Sequence, residues 1–278
     1  MKDLRRIIWL ASYPKSGNTW TRVFLANYLA NASKPLTLYE MTKYSTGDSV
    51  ARHYDKAAGK TVDRKNFPMI LSLRDRVLNS IVAGGADAYL VKTHSARMEY
   101  YGIDLIPARF SRSAIYIMRN PLDMVVSSAR HYGVTLERAV EIIGTPSKVM
   151  APSEKVMPVM QGSWSEHVQS WTSFAGFPVV VLKYEDMLSN PQESFGKMLT
   201  HLGIPIDNER LDKAIRFSSF KELKKQEKKT GFSEKPEHAK SFFASGKSDQ
   251  WKTALSPELV DRICNDHGET MKKFGYLE

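Results

Sequence analysis

Ser12-Tyr13-Pro14-Lys15-Ser16-Gly17-Asn18-Thr19-Trp20 is the stretch on which the reading of this chain turns. It follows a short apolar run, residues 7–11, and opens a segment with helical patterning over about residues 19–30. A strand-to-helix turn aims backbone N–H groups and the positive end of the helix at one place, which suits an anionic group. Lys15 adds a full charge, Ser16 and Thr19 add hydroxyls, and Gly17 lets the backbone come close to a ligand. Trp20 offers a flat face to an aromatic base. A purely structural turn is the alternative on the loop alone. It is not a Walker A loop, which needs a lysine directly before the helical hydroxyl, whereas here Lys15 comes early and Gly17 follows it. No strand ends in a convincing magnesium-binding aspartate either.

Outward from this loop, three further apolar runs read as buried strands: 88–92, 114–118 and 179–183. Helical patterns lie between them: one starts at Pro121 with Asp123 in its positive first turn, one covers 163–174, and one follows Pro191. That alternation predicts an α/β fold with a mostly parallel central sheet flanked by helices. With no internal repeat and no low-complexity linker, one domain over residues 1–278 is expected. Two stretches fit the sheet poorly and read as irregular surface excursions that frame an acceptor pocket: 37–73, and 144–161 with its three prolines and three methionines. Residues 221–229, with five lysines, read as a solvated helix face.

Composition narrows the class. Of 278 residues, 42% are hydrophobic and 25% charged, which is globular and not disordered. A formal charge of +10 favours a polyanionic partner without naming it. Cys264 is the single cysteine, so neither an intrachain disulfide nor a Cys-rich zinc site is possible. No apolar run approaches the roughly 18 residues that a membrane span needs. The start of the chain resembles a signal peptide only superficially, because Tyr13-Pro14-Lys15 interrupts its apolar part. The expectation is a soluble cytoplasmic protein without membrane insertion.

Five further segments, in order, carry a resemblance. They are Lys92-Thr93-His94; Tyr116-Ile117-Met118-Arg119-Asn120-Pro121-Leu122-Asp123 leading to Ser127; Gly162-Ser163-Trp164 with His167-Val168 and Trp171; Tyr184-Glu185-Asp186-Met187; and Ser218-Ser219-Phe220-Lys221-Glu222-Leu223. With the loop at 13–20 and the late Trp251-Lys252, they resemble the sulfotransferases that use 3′-phosphoadenosine 5′-phosphosulfate (PAPS), over about residues 7–255. The resemblance implies a P-loop-kinase-like sulfotransferase fold and transfer of a sulfuryl group from PAPS to a hydroxyl, or an amine, of a small or medium organic acceptor. The product would be adenosine 3′,5′-bisphosphate (PAP), and no metal is required.

Residue by residue, the resemblance implies His94 as general base, Lys92 on the sulfuryl group and Lys15 on the leaving group, with Ser127 restraining Lys15. Lys15, Ser16, Gly17, Asn18, Thr19 and Trp20 would bind the 5′-phosphosulfate and adenine, and Arg119 with Ser127 the 3′-phosphate. An arginine at a strand end can fork two N–H bonds onto phosphate oxygens. Tyr184, Ser218, Phe220, Ser245, Gly246 and Lys247 would complete the cofactor site, with Trp20 and Phe220 clamping the base. His167 and Trp164 would line the acceptor site or simply pack their helix.

Two departures stand out. The family usually has Arg-Lys-Gly before the late tryptophan, and this chain has Ala244-Ser245-Gly246 followed by Lys247. The family's short dimerisation segment is not matched around Ser256-Pro257, which leaves the oligomeric state open. The rival readings are a nucleotide kinase or nucleoside triphosphatase with an aberrant loop, and a basic nucleic-acid-binding module. The second lacks any helix-turn-helix, zinc-finger or RNA-recognition signature.

Overall fold

The computed structural model describes residues 4–173, 176–237 and 239–278. In chain order its strands are β1 (Ile7–Ser12), β2 (Ser45–Gly47), β3 (Tyr89–Thr93), β4 (Glu99–Tyr100), β5 (Ile103–Asp104), β6 (Ser111–Met118), β7 (Val149–Met150), β8 (Val159–Met160) and β9 (Val179–Lys183). The central sheet has the order β2-β3-β1-β6-β9, and the architecture is α/β with a five-stranded parallel sheet flanked by helices. All six residues of β1 are buried, the continuous apolar signature of a strand covered on both faces. β1 pairs β3 in parallel with Trp9 beside Val91, and β3 pairs β2 with Thr46 beside Val91.

Contacts divide the chain into two compact units, Met1–Tyr13, Ser45–Tyr116 and Thr145–Val181 in the first, Pro14–Tyr44, Ile117–Gly144 and Leu182–Glu278 in the second. In the first unit β6 starts three residues earlier than its apolar run predicts. Its opening Ser111 is buried because the Trp9 indole donates to its hydroxyl at 2.7 Å. The helix expected over 163–174 is Trp164–Thr172, capped by Ser163 and Glu166 in a reciprocal capping box. Phe174 lies outside the described residues.

Both stretches expected to be irregular hold regular structure, and this corrects the reading. Residues 37–73 contain β2 and the helices Ala51–Ala58 and Phe67–Ser72. A three-residue strand that includes a glycine has no alternation to read. Residues 144–161 contain the β7–β8 hairpin, tied to the preceding segment by Met157 N–H to the Ser49 carbonyl at 2.8 Å. The prolines lie outside the two short strands, where their missing N–H costs nothing.

In the second unit the helix Asn18–Ala30 buries Phe24, which stacks on Phe195 of the helix Pro191–His201 at 3.9 Å between ring centres. Val23 and Ala26 join Leu223, Phe232 and Phe243 in a buried apolar cluster. The lysines of residues 221–229 lie exposed on the helix Phe220–Thr230, as a solvated face requires, while its Glu227 is buried. The Glu227 carboxylate accepts the Phe242 and Phe243 amides at 2.6 and 3.0 Å and the Ser241 hydroxyl at 2.9 Å. It fixes the strap that leads to Gly246. None of the described helices is long and apolar enough to cross a membrane.

Glu227→Gln should therefore destabilise the protein by about 2 kcal/mol, since a buried amide NH2 would face backbone donors instead of an accepting oxygen. Urea unfolding of both proteins measures it, and an unchanged midpoint would show that the strap does not depend on this carboxylate.

Candidate active site

The loop after β1 is shaped by two left-handed residues, Lys15 at φ 72° and Gly17 at φ 106°. The second is the N-cap of the helix Asn18–Ala30. A side chain there would be strained, and its Cβ would stand 2.8 Å from the Tyr184 ring. The non-glycine Lys15 holds a conformation that typically costs 1–3 kcal/mol, roughly, and is retained where surroundings over-determine it.

Those surroundings centre on Arg119, which is buried just past the end of β6. Its Nη1 donates to the Lys15 carbonyl at 3.2 Å, and its Nη2 donates to the Lys247 carbonyl at 3.1 Å. Its guanidinium lies 4.3 Å from the centre of the Tyr184 ring. Arg119 Nε is buried and has no hydrogen-bond partner among the described residues, and the same is true of Trp20 Nε1. Buried donors are nearly always paired, so each of these calls for a partner such as an ordered water or a ligand atom.

The cofactor candidates thus gather in the second unit. Lys15 Nζ sits 4.3 Å over the Phe242 ring. Ser16 is buried, with its hydroxyl 3.8 Å from Met124 Sδ; Asn18 and Thr19 are buried in the first helical turn. Ser127 is half-buried one helical turn beyond Met124 in the helix Pro121–Tyr132. Trp20 packs edge-on against Tyr184 and Phe195. Phe220 opens its helix against Gly246, where a Cβ would come within 2.3 Å of the ring, so at φ 66° only glycine fits there. Ser245 is half-buried beside it. The Asp123 carboxylate accepts the Asp249 and Trp251 amides at 2.7 and 3.2 Å, which holds the end of the strap to the helix that follows Arg119. Ser218 is buried, and its hydroxyl donates to the Ala214 carbonyl at 2.8 Å. Glu185 accepts the Asn120 amide at 3.0 Å and the Tyr276 hydroxyl at 3.1 Å.

Lys92 and His94 belong to the first unit. His94 Nδ1 lies 2.7 Å from the Ser12 carbonyl. A carbonyl only accepts, so Nδ1 carries the ring proton and Nε2 holds the lone pair. That is the tautomer in which an imidazole takes a proton from a hydroxyl. The backbone behind it is gripped twice, by His167 Nε2 on the His94 carbonyl at 3.3 Å and by Trp171 Nε1 on the Ser95 carbonyl at 3.0 Å. His167 Nδ1 lies 2.9 Å from the Tyr116 hydroxyl and is the accepting nitrogen. His167 is wholly buried, and desolvation drives its pKa down to about 3. It is a neutral packing residue of the helix Trp164–Thr172, with Trp164 buried alongside.

Lys92 is half-buried at the end of β3, and its carbonyl accepts the Asp48 amide at 3.1 Å. Asp48, Arg74 and Phe242 escaped the sequence reading. The first two lie in the stretch read as irregular or at its edge, and a buried Asp–Arg pair 26 residues apart leaves no local pattern. The Phe242-Phe243 pair next to the Gly246 segment was a legible aromatic signal.

The sulfotransferase domain model matches residues 5–275. Sulfotransferase 1E1 of Bos taurus is 26% identical over 276 residues, covering 95% of this chain and 82% of the relative. Sulfotransferase 1A1 of Canis lupus familiaris is 31% identical over 168 residues, a match that spans 58% of this chain and 55% of that protein. Among solved structures, mouse sulfotransferase SULT7A1 complexed with PAP superposes with a TM-score of 0.61 at 20% identity, covering 96% of this chain and 85% of the other. Retinol dehydratase in complex with androsterone and PAP gives 0.65 at 16%, covering 98% and 82%. At these identities the structures speak for the fold alone. The chain belongs to the sulfotransferase domain family, and by class it is a sulfotransferase.

The buried His167 predicts a pH dependence. Its folded pKa of about 3 lies below the ordinary 6.5, so as pH falls the unfolded chain takes up the proton first. The stability it contributes is complete above about pH 6.5 and drains away from there toward about pH 3. His167→Gln should show a shallower loss of thermal stability between neutral pH and pH 5. An equal loss would assign the slope elsewhere, for example to His267, which burial lowers to about 4.

Proposed function

We propose that this chain, acting as one domain over residues 1–278, moves a sulfuryl group from PAPS to a hydroxyl, or an amine, of a small or medium organic acceptor. The observation that carries the reading is Arg119, fixed between the Lys15 and Lys247 carbonyls with its buried Nε unpartnered among the described residues. A phosphate oxygen satisfies that donor and meets the positive charge. Two proteins of the same fold, mouse sulfotransferase SULT7A1 and retinol dehydratase, are complexed with PAP, which agrees with a 3′-phosphorylated nucleotide here.

In this reading Arg119 and Ser127 hold the 3′-phosphate, with Tyr184 backing the guanidinium. The loop at 15–19 holds the 5′-phosphosulfate, and Trp20 and Phe220 clamp the adenine. Gly246 leaves the Phe220 face uncovered, and Ser245 and Lys247 stand where the family carries more charge. Ser218, whose hydroxyl proton is committed to Ala214, meets the adenine only as an acceptor. When bound, PAPS supplies the sulfuryl group and a stable bisphosphate leaving group.

His94 Nε2 takes the acceptor's proton as the oxygen attacks, and the Ser12 carbonyl keeps the other nitrogen protonated and the ring oriented. Lys92 offsets charge on the sulfuryl group and Lys15 on the departing oxygen, where fixed cations are most effective. Lys15 must leave the Phe242 face to do so, and Ser127 would restrain it meanwhile. Direct in-line transfer, without a covalent enzyme intermediate, needs no further residue. The single Cys264 agrees with a reducing cytoplasm as the setting.

Two experiments test this reading. His94→Ala should lower transfer of labelled sulfuryl from PAPS to a panel of phenols and alkanols by about 10²–10⁴-fold, with PAP affinity nearly unchanged. Near-normal turnover would remove His94 from its role. Arg119→Ala should weaken PAP at least about tenfold more than adenosine 5′-monophosphate, as loss of a charge-assisted bond implies. Some loss for both ligands is expected, since Arg119 also braces the loop at Lys15. Equal losses by calorimetry would make Arg119 a brace alone.

A further inference from the structure

Strand geometry frames the inference. Successive side chains of β3 alternate between its faces, so Thr93 points opposite to Lys92. On that opposite side lies Asp48, which is wholly buried. Its backbone amide donates to the Lys92 carbonyl at 3.1 Å, and its Oδ2 accepts the Thr93 hydroxyl at 2.9 Å. The Thr93 oxygen in turn accepts the Ser95 amide at 3.1 Å. One aspartate thus holds the backbone before His94 directly and the backbone after it through a single hydroxyl.

The carboxylate is itself fixed by Arg74, also buried, whose Nη2 donates to Oδ2 at 2.7 Å. Arg74 is held by the Leu105 carbonyl, which accepts from Nε and Nη2 at 3.0 and 2.6 Å, and by the Tyr54 hydroxyl at 3.2 Å from Nη1. Burial works against its charge, but Tyr54 and Asp48 outweigh it, and its pKa is raised. An ion pair so enclosed is poor evidence for stability on energetic grounds, because desolvation offsets much of the attraction. Its geometric consequence is firmer. It presents a rigid acceptor to Thr93 from the turn that directly follows the three-residue strand β2.

We infer that Asp48, locked by Arg74, is a positioning residue for sulfuryl transfer that acts through the Thr93 hydroxyl to aim the His94 imidazole. The inference rests on His94 as the base. The ring's bond to the Ser12 carbonyl sets its tautomer, and a shift of the backbone beside His94 would lengthen or misalign that bond. Catalytic groups tolerate displacements of well under about 1 Å, and a misplacement of that size can cost about 10²-fold in rate.

Substituting Asp48 or Arg74 would strand a buried charge, so Thr93 gives the cleaner test. The full-length protein is labelled with 15N-histidine, and the His94 signals are identified by their loss in His94→Gln. In Thr93→Val the Nδ1–H tautomer of His94 should lose population, and turnover with PAPS and the phenol and alkanol panel should fall about ten- to hundredfold. PAP affinity should stay at the original value, and Thr93→Ser should restore both readouts. If Val disturbs folding, as lost PAP binding would reveal, Thr93→Ala removes the same hydroxyl while leaving room for water beside the carboxylate. A His94 tautomer unchanged in the folded variant overturns the inference. A shifted tautomer with undiminished turnover upholds the positioning and instead removes His94 as the base.

Discussion

Arg119 connects two carbonyls, of Lys15 and Lys247, that are 104 and 128 residues away from it in the chain. Everything proposed for the donor depends on that double grip. It holds the loop at Lys15 in a left-handed conformation that the residue does not favour by itself, and it brings the Gly246 strap to the same place. Each Nη spends one of its two N–H groups on a carbonyl, and the buried Nε has no partner among the described residues, so the guanidinium keeps donors for a ligand. One cation thereby organises the protein and offers a donor to an anion, which is why a lysine, with its mobile point charge, would be a poor substitute.

The first unit solves a different problem. A histidine at a strand end has no helix or sheet ladder to hold it, so its orientation must come from elsewhere. Ser12 fixes the ring, His167 and Trp171 fix the carbonyls of His94 and Ser95, and Thr93 transmits the hold of Asp48. The two histidines illustrate how environment assigns roles. His167 is fully enclosed and kept neutral to about pH 3, useless as a base near neutrality but reliable as a brace. His94 is half-buried, with its lone pair on Nε2.

The strap carries the chain's clearest departure from its family. Where Arg-Lys-Gly is usual, Ala244-Ser245-Gly246 stands. The glycine survives because Phe220 lies against it, a steric demand independent of charge. Lys247, whose carbonyl accepts from Arg119, is the basic residue that directly follows this glycine. Nearby, Phe242 gives Lys15 a cation–π contact, a modest attraction that an anion readily exceeds.

The order of apolar runs and helical patterns in the sequence determined the α/β class, because burial on two faces forces continuous apolar strands such as β1. The loop at 13–20 was legible as a candidate anion site from its residue types, whereas Arg119 and the Lys92-Thr93-His94 segment stood out as candidates only through the resemblance to the family. The tertiary structure alone decided three things. β2 emerged from a stretch without alternation, because three residues cannot display a period. Asp48 became the partner of both Arg74 and Thr93 through hydrogen bonds spanning 26 and 45 residues, a distance at which no sequence pattern constrains geometry. And the tautomer of His94 follows from a carbonyl 82 residues earlier, whose direction is set by the parallel register of β1 on β3 and by nothing in the residues themselves.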